Sequence, residues 1–277
     1  MVACLMQGFC DTIGSFSPPK MDTSVNAVEI KGFRKRYNQH WAVRGIDLVI
    51  PHGIFFGFVG PNGAGKSTTI NAMAGLIKPS DGIIKIEGYD VSKQPLEVKA
   101  RIGVMLEEPV LYQRLTGSEY LRFVGQMYAL EPDRIEGRRD FLLRLMDLDG
   151  DKLMGAYSLG MKKKAALAAA LIHEPPVVIL DEPFSGIDAT SASRVRRVLN
   201  DLVTAGHTVF LSSHVLETVE RLSSVVGIIH EGLLLATGTL SAIREQTGSS
   251  PTASLEEVFL KLVGAWEVME EWRMPSG

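Results

Sequence analysis

One stretch of eight residues has the composition of a phosphate-binding loop. It reads Gly60, Pro61, Asn62, Gly63, Ala64, Gly65, Lys66 and Ser67, matches the pattern G-x-x-x-x-G-K-[ST], and is followed by Thr68. Glycines allow backbone angles that turn successive N–H groups towards one anion, and the lysine adds a mobile positive charge. The serine hydroxyl is suited to ligating Mg²⁺. We therefore expect the β- and γ-phosphates of a nucleotide to bind here, with Thr68 beside them.

The flanks of this loop indicate the strand and the helix that it requires. Residues 54–59 form an apolar run, and residues 68–76 alternate in a manner compatible with a helix. The positive end of that helix dipole would add to anion binding. The alternative is a glycine-rich turn without function, and the strand-loop-helix order argues against it.

A second apolar run, at residues 177–180, ends in the acidic pair Asp181 and Glu182. A buried strand can place Asp181 beside the phosphates, where a carboxylate ligates Mg²⁺ or accepts from its bound water. Glu182, one residue further, could polarise an attacking water. Taken alone, the run could equally be a strand followed by a solvated acidic turn.

Composition limits the class of protein. The chain has 277 residues, of which 45% are hydrophobic and 22% charged, with a net charge of −3. This suits one α/β domain and gives no electrostatic footprint for nucleic acid. The short basic clusters at residues 34–36 and 162–164 are interpreted as solvated surface.

The N-terminal region is interpreted as an extension. Cys4 and Cys10 both lie there and indicate neither a disulfide framework nor a metal site. We expect residues 1–27 to be disordered, translation to begin at Met21, and no secretory leader to be present. No run reaches the eighteen apolar residues that a membrane helix needs.

The remaining pattern predicts alternating strands and helices. Strands are expected at residues 28–30 and 42–50, separated by a basic loop that carries Tyr37 and Trp41, and again at 83–87 and 102–106 around a short helix near Pro95. Residues 115–148 and 161–172 have helical periodicity. Further alternation up to residue 263 indicates parallel strands covered by helices.

Three more stretches complete an ordered set of motifs. They are Tyr157-Ser158-Leu159-Gly160-Met161, Ser185-Gly186-Ile187-Asp188, and Leu211-Ser212-Ser213-His214. With the loop, the acidic pair and Tyr37, they resemble the ATP-binding subunits of ABC transporters over residues 28–263. The resemblance implies an α/β P-loop NTPase fold with a RecA-like parallel-sheet core, a leading antiparallel β-layer and an inserted helical subdomain at about residues 112–172. Residues 264–277 would be a C-terminal tail.

The resemblance also implies a role for each site residue. Glu182, His214 and Lys66 would be catalytic, Tyr37 would stack on adenine, and Ser67, Asp181 and Glu107 would hold Mg²⁺. Ser158 and Gly160 would contact the ATP held by a second ATP-binding subunit, either an identical copy or a close relative. Asp188 would be a further nucleotide-binding residue. Considered singly, the aromatic could be ordinary packing, the histidine a satisfied strand-end residue, and Ser158 a helix cap.

Two positions depart from the family's usual pattern. Glu107 stands where a glutamine is usual, and Leu159 interrupts the paired glycines of the signature motif. Some exporter ATPases are similar at both positions and in residues 254–259, so the sequence favours an exporter of the ABC-2 type. The protein is then expected on the cytoplasmic face of the membrane, bound to a separate transmembrane permease subunit. The alternatives are a regulatory ABC ATPase without a transport role and a nucleotide switch that barely hydrolyses.

Overall fold

The computed structural model describes residues 24–273, with side chains up to residue 264, and its strands form one ten-stranded mixed sheet. The strands are β1 (Val28–Tyr37), β2 (His40–Ile50), β3 (Phe55–Val59), β4 (Asp81–Ile86), β5 (Tyr89–Asp90), β6 (Ile102–Met105), β7 (Val177–Asp181), β8 (Thr208–Ser213), β9 (Val225–His230) and β10 (Leu233–Gly238). The helices are α1 (Lys66–Met73), α2 (Pro95–Lys99), α3 (Gly117–Met127), α4 (Pro132–Met146), α5 (Leu159–Leu171), α6 (Ala189–Thr204), α7 (Leu216–Leu222), α8 (Leu240–Gln246) and α9 (Leu255–Arg273). A 3-10 turn lies at Met154–Ala156.

The sheet has a parallel half and an antiparallel half. Its strand order is β5-β4-β1-β2-β10-β9-β3-β8-β7-β6. Strands β9, β3, β8, β7 and β6 run parallel, whereas β1 pairs antiparallel with both β2 and β4. Strands β3 and β7 are buried along their whole length, as expected for parallel strands covered on both faces. The predicted fold class is confirmed.

The expected basic loop near Tyr37 is wrong. Tyr37 ends β1 and Trp41 lies in β2, so the turn between these strands is only residues 38–39. Asn38 adopts a positive φ of 51°, a conformation that asparagine tolerates in tight turns. The basic side chains on this hairpin misled the prediction because no residue from 34 to 37 is buried, although the strand continues through them after the fully buried Phe33.

Between β6 and β7 the chain forms helices α3, α4 and α5. Helix α3 begins with a capping box, in which the Thr116 hydroxyl accepts from the Glu119 N–H and the Glu119 carboxylate accepts from the Thr116 N–H. Helix α5 is alanine-rich and almost wholly buried, and it packs on β6 and on α4. These helices span the segment for which the sequence predicts a helical subdomain, a division that stays a prediction.

The two ends of the chain are described only in part. Residues 1–23 lie outside the described residues, and with them lie the proposed start at Met21, both cysteines and most of the expected extension at residues 1–27. Residues 24–27 are described, and Ala27 is fully buried. At the other end, helix α9 continues to Arg273, past residue 263, where the sequence predicts that the domain ends.

Candidate functional site

A cleft of about 520 Å³ lies at the carboxyl end of β3. Its lining brings together residues from the loop before α1 and from segments far away in the sequence: Tyr37, Ala42, Asn62, Gly63, Gly65, Lys66, Ser67, Thr68, Glu107, Glu182 and His214. In open parallel sheets, ligands bind at the carboxyl ends of the strands, where loops and helix N-termini converge. Gly60, Pro61 and Ala64 belong to the same loop without lining the cleft.

The loop before α1 has the conformation that its glycines predict. Gly65 adopts a φ of 107°, and a Cβ at that position would lie 2.7 Å from the main-chain oxygen of Ala42. Only glycine fits there, because both the backbone angle and the close approach exclude a side chain. This geometry seats the start of α1 against β2 and points its free N–H groups at the cleft.

Lys66 is buried at the first position of α1. Its ammonium donates to the main-chain oxygens of Gly60 at 2.8 Å and Pro61 at 3.0 Å, which curls the side chain along the loop. Burial lowers the pKa of Lys66, whereas the nearby carboxylates of Glu182, Asp181 and Glu107 act in the opposite direction. A cation held between a glycine-rich loop and three carboxylates is positioned to receive a phosphate.

The acidic pair follows β7, and both carboxylates are buried. The Asp181 carboxylate accepts a short hydrogen bond from the Ser212 hydroxyl on β8. Glu182 has a left-handed backbone, with a φ of 47°, which few residues with a Cβ adopt. Such strained positions persist where their surroundings fix them, and they cluster at functional sites.

Three donors fix the Glu182 carboxylate. One oxygen accepts from the His214 N–H at 2.7 Å and lies 2.8 Å from the His214 ring Nδ1, and the other accepts from the Ser213 hydroxyl at 3.2 Å. His214 itself is half-exposed and lines the cleft. The strand end at β8 therefore orients Glu182 towards the space in front of Lys66.

The donor set can be compared with what Mg²⁺ requires. Among the residues that the structure describes, no group of three or more His, Cys, Asp or Glu could hold a metal ion without other ligands. Mg²⁺ seldom uses such cages, since it keeps several waters and binds one or two carboxylates together with substrate phosphates. The Ser67 hydroxyl and Glu107 line the cleft, and Asp181 lies beside Glu182, so these donors fit Mg²⁺.

Ser158, Gly160 and Asp188 lie outside this cleft, close to one another. The Ser158 hydroxyl caps α5 by accepting from the Met161 N–H at 3.2 Å, and the Asp188 carboxylate caps α6 by accepting from the Ser191 N–H at 2.9 Å. The hydrogen bond from the Ser191 N–H holds the pKa of Asp188 below its ordinary value. A Cβ on Gly160 would lie 3.6 Å from the side chain of Ile187, so the two helix starts are neighbours.

The expectation that residues 162–164 are solvated surface is wrong. Lys163 and Lys164 are only 4% and 7% exposed, and their ammonium groups donate to the main-chain oxygens of Glu182 at 2.9 Å and Asp147 at 3.2 Å. A run of three lysines has the composition of a solvent-exposed segment. Because α5 is buried on most sides, however, two of the three side chains point into the protein. The sequence signal was their position at the start of a buried alanine-rich helix.

Sequence reasoning also missed the residues that hold the acidic pair. Ser212 and Ser213 were noted only as neighbours of His214, yet their hydroxyls contact Asp181 and Glu182. The parallel pairing of β7 with β8 brings the strand ends together, with Asp181 opposite Ser212. The sequence signal for this pairing was that the acidic pair and the stretch Leu211-Ser212-Ser213-His214 each stand at the end of an apolar, strand-like run.

The fold and the cleft define a P-loop nucleotide-binding domain of the α/β class. The sequence profile of the ABC transporter family matches residues 43–185. The ABC transporter ATP-binding protein NatA of Bacillus subtilis is 38% identical over 80% of this chain and 91% of its own length. The daunorubicin/doxorubicin resistance ATP-binding protein DrrA of Streptomyces peucetius is 35% identical over 81% of this chain and 68% of its own.

Solved structures agree with these matches. An ATP-binding subunit of an ABC transporter is 35% identical and superposes with a TM-score of 0.81, covering 86% of this chain and 99% of that one. A dimeric ATP-binding cassette with bound ADP and Pi, 22% identical, has a TM-score of 0.72 over 77% of this chain and 98% of its own, and shares the fold. This chain belongs to the ABC transporter family as an ATP-binding subunit. Along residues 24–273, no helix has both the length and the apolar character to cross a membrane.

Proposed function

We propose that the protein hydrolyses ATP to ADP and phosphate, and that the ATP-driven closure and hydrolysis-driven opening of a dimer drive a separate permease. The observation that carries this proposal is the arrangement in the cleft. There Lys66 and His214 surround the oriented carboxylate of Glu182. A carboxylate held by fixed donors in front of a phosphate loop is equipped to direct a water molecule at the terminal phosphate.

The nucleotide would lie along the loop and the β1–β2 hairpin. The N–H groups of the loop residues that line the cleft and the dipole of α1 would hold its phosphates, with Lys66 on the β- and γ-phosphates. The partly exposed ring of Tyr37, which also lines the cleft, would stack on the adenine.

Each catalytic side chain has a separate task. Glu182 would orient the attacking water, whereas Lys66 and His214 would offset the charge that develops on the transferring group. Ser67, Asp181 and Glu107 would hold Mg²⁺. When bound, Mg²⁺ would neutralise charge on the phosphate oxygens.

A second subunit would complete the site. Ser158, Gly160 and Asp188 lie away from the cleft of their own chain, and the N–H groups at the start of α5 would form an anion site. In a head-to-tail dimer of this chain, or of this chain and a close relative, Ser158 and Gly160 would reach the γ-phosphate held opposite. Hydrolysis would remove the bridging anion, and the dimer would open.

The permease would dock on the surface between β6 and α3. Val110 is 97% exposed, and an apolar hollow of about 380 Å³ beside it is lined by Tyr112, Gln113, Arg114, Leu115 and Phe123. Apolar patches of this kind mark protein contacts.

The names of relatives refer to resistance to daunorubicin and to bacitracin transport. These names support export by a transporter that holds this subunit on the cytoplasmic face of the membrane.

The test compares the purified wild type with Glu182→Gln. We expect Mg²⁺-dependent ATP hydrolysis by the wild type and a loss of about 100-fold or more in kcat for the variant, the usual contribution of a general base. ATP affinity should be retained, and the variant should form an ATP-bound dimer in size-exclusion chromatography. Glu217→Gln, which changes an exposed carboxylate on α7, is the matched control. Hydrolysis at the wild-type rate by Glu182→Gln would refute the role of Glu182, and a wild type that binds ATP without turnover would favour the nucleotide switch.

A further inference from the structure

Lys163 contacts the main chain of Glu182, outside every role assigned above. It lies on α5, one and a half turns after the cap Ser158, and its ammonium donates to the Glu182 main-chain oxygen at 2.9 Å. Lys163 is 4% exposed, so this hydrogen bond is shielded from water. A lysine is seldom buried unless its charge is compensated.

The surroundings of Lys163 compensate its charge. Burial lowers the pKa of Lys163, and the carboxylates of Glu107, Glu182 and Asp181 oppose this effect. The same carboxylates act on Lys66. Lys163 therefore adds, from α5, a second positive charge to the one that Lys66 brings from α1.

The contact also acts on a strained residue. The backbone of Glu182, with its positive φ of 47°, is held by three hydrogen bonds. Its N–H donates to the Ser212 oxygen at 3.2 Å, and its main-chain oxygen accepts from the Lys163 ammonium at 2.9 Å and from the Ser185 N–H at 3.2 Å. The side chain is oriented only if the backbone keeps this conformation. A donor that holds the main-chain oxygen thus helps to set where the carboxylate points.

We propose that Lys163 is a positioning residue that ties helix α5 to the water-orienting carboxylate of Glu182. Because α5 is a buried, continuous helix, a shift at its Ser158 end is transmitted to Lys163 and then to Glu182. In the dimer, contact of Ser158 with the opposite nucleotide would adjust the carboxylate in its own subunit. This inference rests on the proposed ATPase function.

The first test replaces Lys163 with methionine, which keeps the aliphatic length and removes the donor and the charge. We expect kcat to fall about 10- to 100-fold, the size of effect produced by a displacement of about 1 Å in a reacting group. The dissociation constant for ATP should stay within about twofold, and Lys163→Arg should recover part of the rate. Lys164→Met is the matched control, since Lys164 is buried one residue further and donates to Asp147 rather than to the site.

Several outcomes would overturn the proposal. It is wrong if Lys163→Met keeps kcat within about threefold, or if Lys164→Met loses as much activity as Lys163→Met at equal melting temperature. Lys163→Gln, shorter and polar, gives the same comparison if the methionine variant does not fold. A wild type without hydrolysis would instead refute the ATPase function itself, so the two failures are distinguishable.

The second test measures the link along α5 with a double-mutant cycle. Ser158→Ala, Lys163→Met and the double variant are compared in kcat at saturating Mg·ATP. If α5 transmits the contact, the effect of Ser158→Ala should be at least threefold smaller once Lys163 is replaced. Effects that multiply independently would overturn the proposed transmission.

Discussion

Acid should destabilise the protein through His173, at the junction of the helices and the core sheet. The ring of His173 stacks on Tyr128, with centroids 3.6 Å apart and planes 6° from parallel, and its Nε2 lies 3.1 Å from the Ile102 oxygen. Burial, the largest cause, lowers the pKa of His173 from 6.5 to about 4, and Arg138 adds to this effect. The hydrogen bond to Ile102 and the charge of Glu174 act in the opposite direction.

The sign and size of the effect follow from that pKa. Because the folded state takes up the proton less readily than the unfolded state, His173 contributes stability above pH 6.5, and this is lost as the pH falls towards 4. Each pKa unit corresponds to about 1.36 kcal/mol of stability, so a fall of the pKa from 6.5 to about 4 corresponds to a total loss of about 3.4 kcal/mol. By about pH 5 the loss should be about 2 kcal/mol. Protonation of Nδ1 would also create a buried donor, since that atom has no partner among the described residues.

Urea unfolding between about pH 8 and pH 5 measures this loss directly. His173→Phe keeps a ring on Tyr128 and removes the titration, so it should be about 2 kcal/mol less sensitive to pH over that interval. It should also be about 1 kcal/mol less stable at pH 8, because the Ile102 oxygen loses its donor. Equal pH dependence in the two proteins would refute the assignment of the titration to His173.

Three other predictions concern the cleft and the two helix starts. Glu107→Gln removes a negative charge beside Lys66, so ATP should bind more tightly, with a larger gain at low salt; unchanged affinity would contradict this. Ser158→Ala removes the α5 cap and should lower the free energy of unfolding by about 1 kcal/mol; unchanged urea unfolding would count against it. Gly186→Ala forces a Cβ into a φ of 71° and to 2.7 Å from the Leu159 side chain, costing about 1–2 kcal/mol in urea unfolding. Leu159→Ala should relieve part of that cost, and independent effects would refute the contact.

The sequence was informative where function depends on local chemistry. The phosphate loop requires several closely spaced glycines and a lysine, and a buried strand that ends in acids must be apolar before them. Both patterns can be recognised in the sequence without knowledge of the tertiary structure. The structure places five of the predicted site residues around one cleft: Lys66, Ser67, Glu107, Glu182 and His214. The alternation of strands and helices was predictable for the same reason, since each element carries its own periodicity.

Contacts between distant segments were not predictable in the same way. Composition suggested that residues 162–164 were solvated, because the main-chain oxygens that accept from Lys163 and Lys164 lie 19 and 17 residues away. The hydroxyl donors to the acidic pair come from β8, 31 residues further along the chain. Such partners depend on strand order, which periodicity does not report.

One of the two departures from the family pattern, Glu107, is connected to these contacts between distant segments. Glu107 adds a third carboxylate to Asp181 and Glu182, and a polyanionic ligand would meet that acidic group unless cations opposed it. Lys66 opposes it from the side of the cleft and Lys163 from the side of α5. A glutamate at position 107 is therefore compatible with ATP binding in a chain that also buries a lysine at position 163.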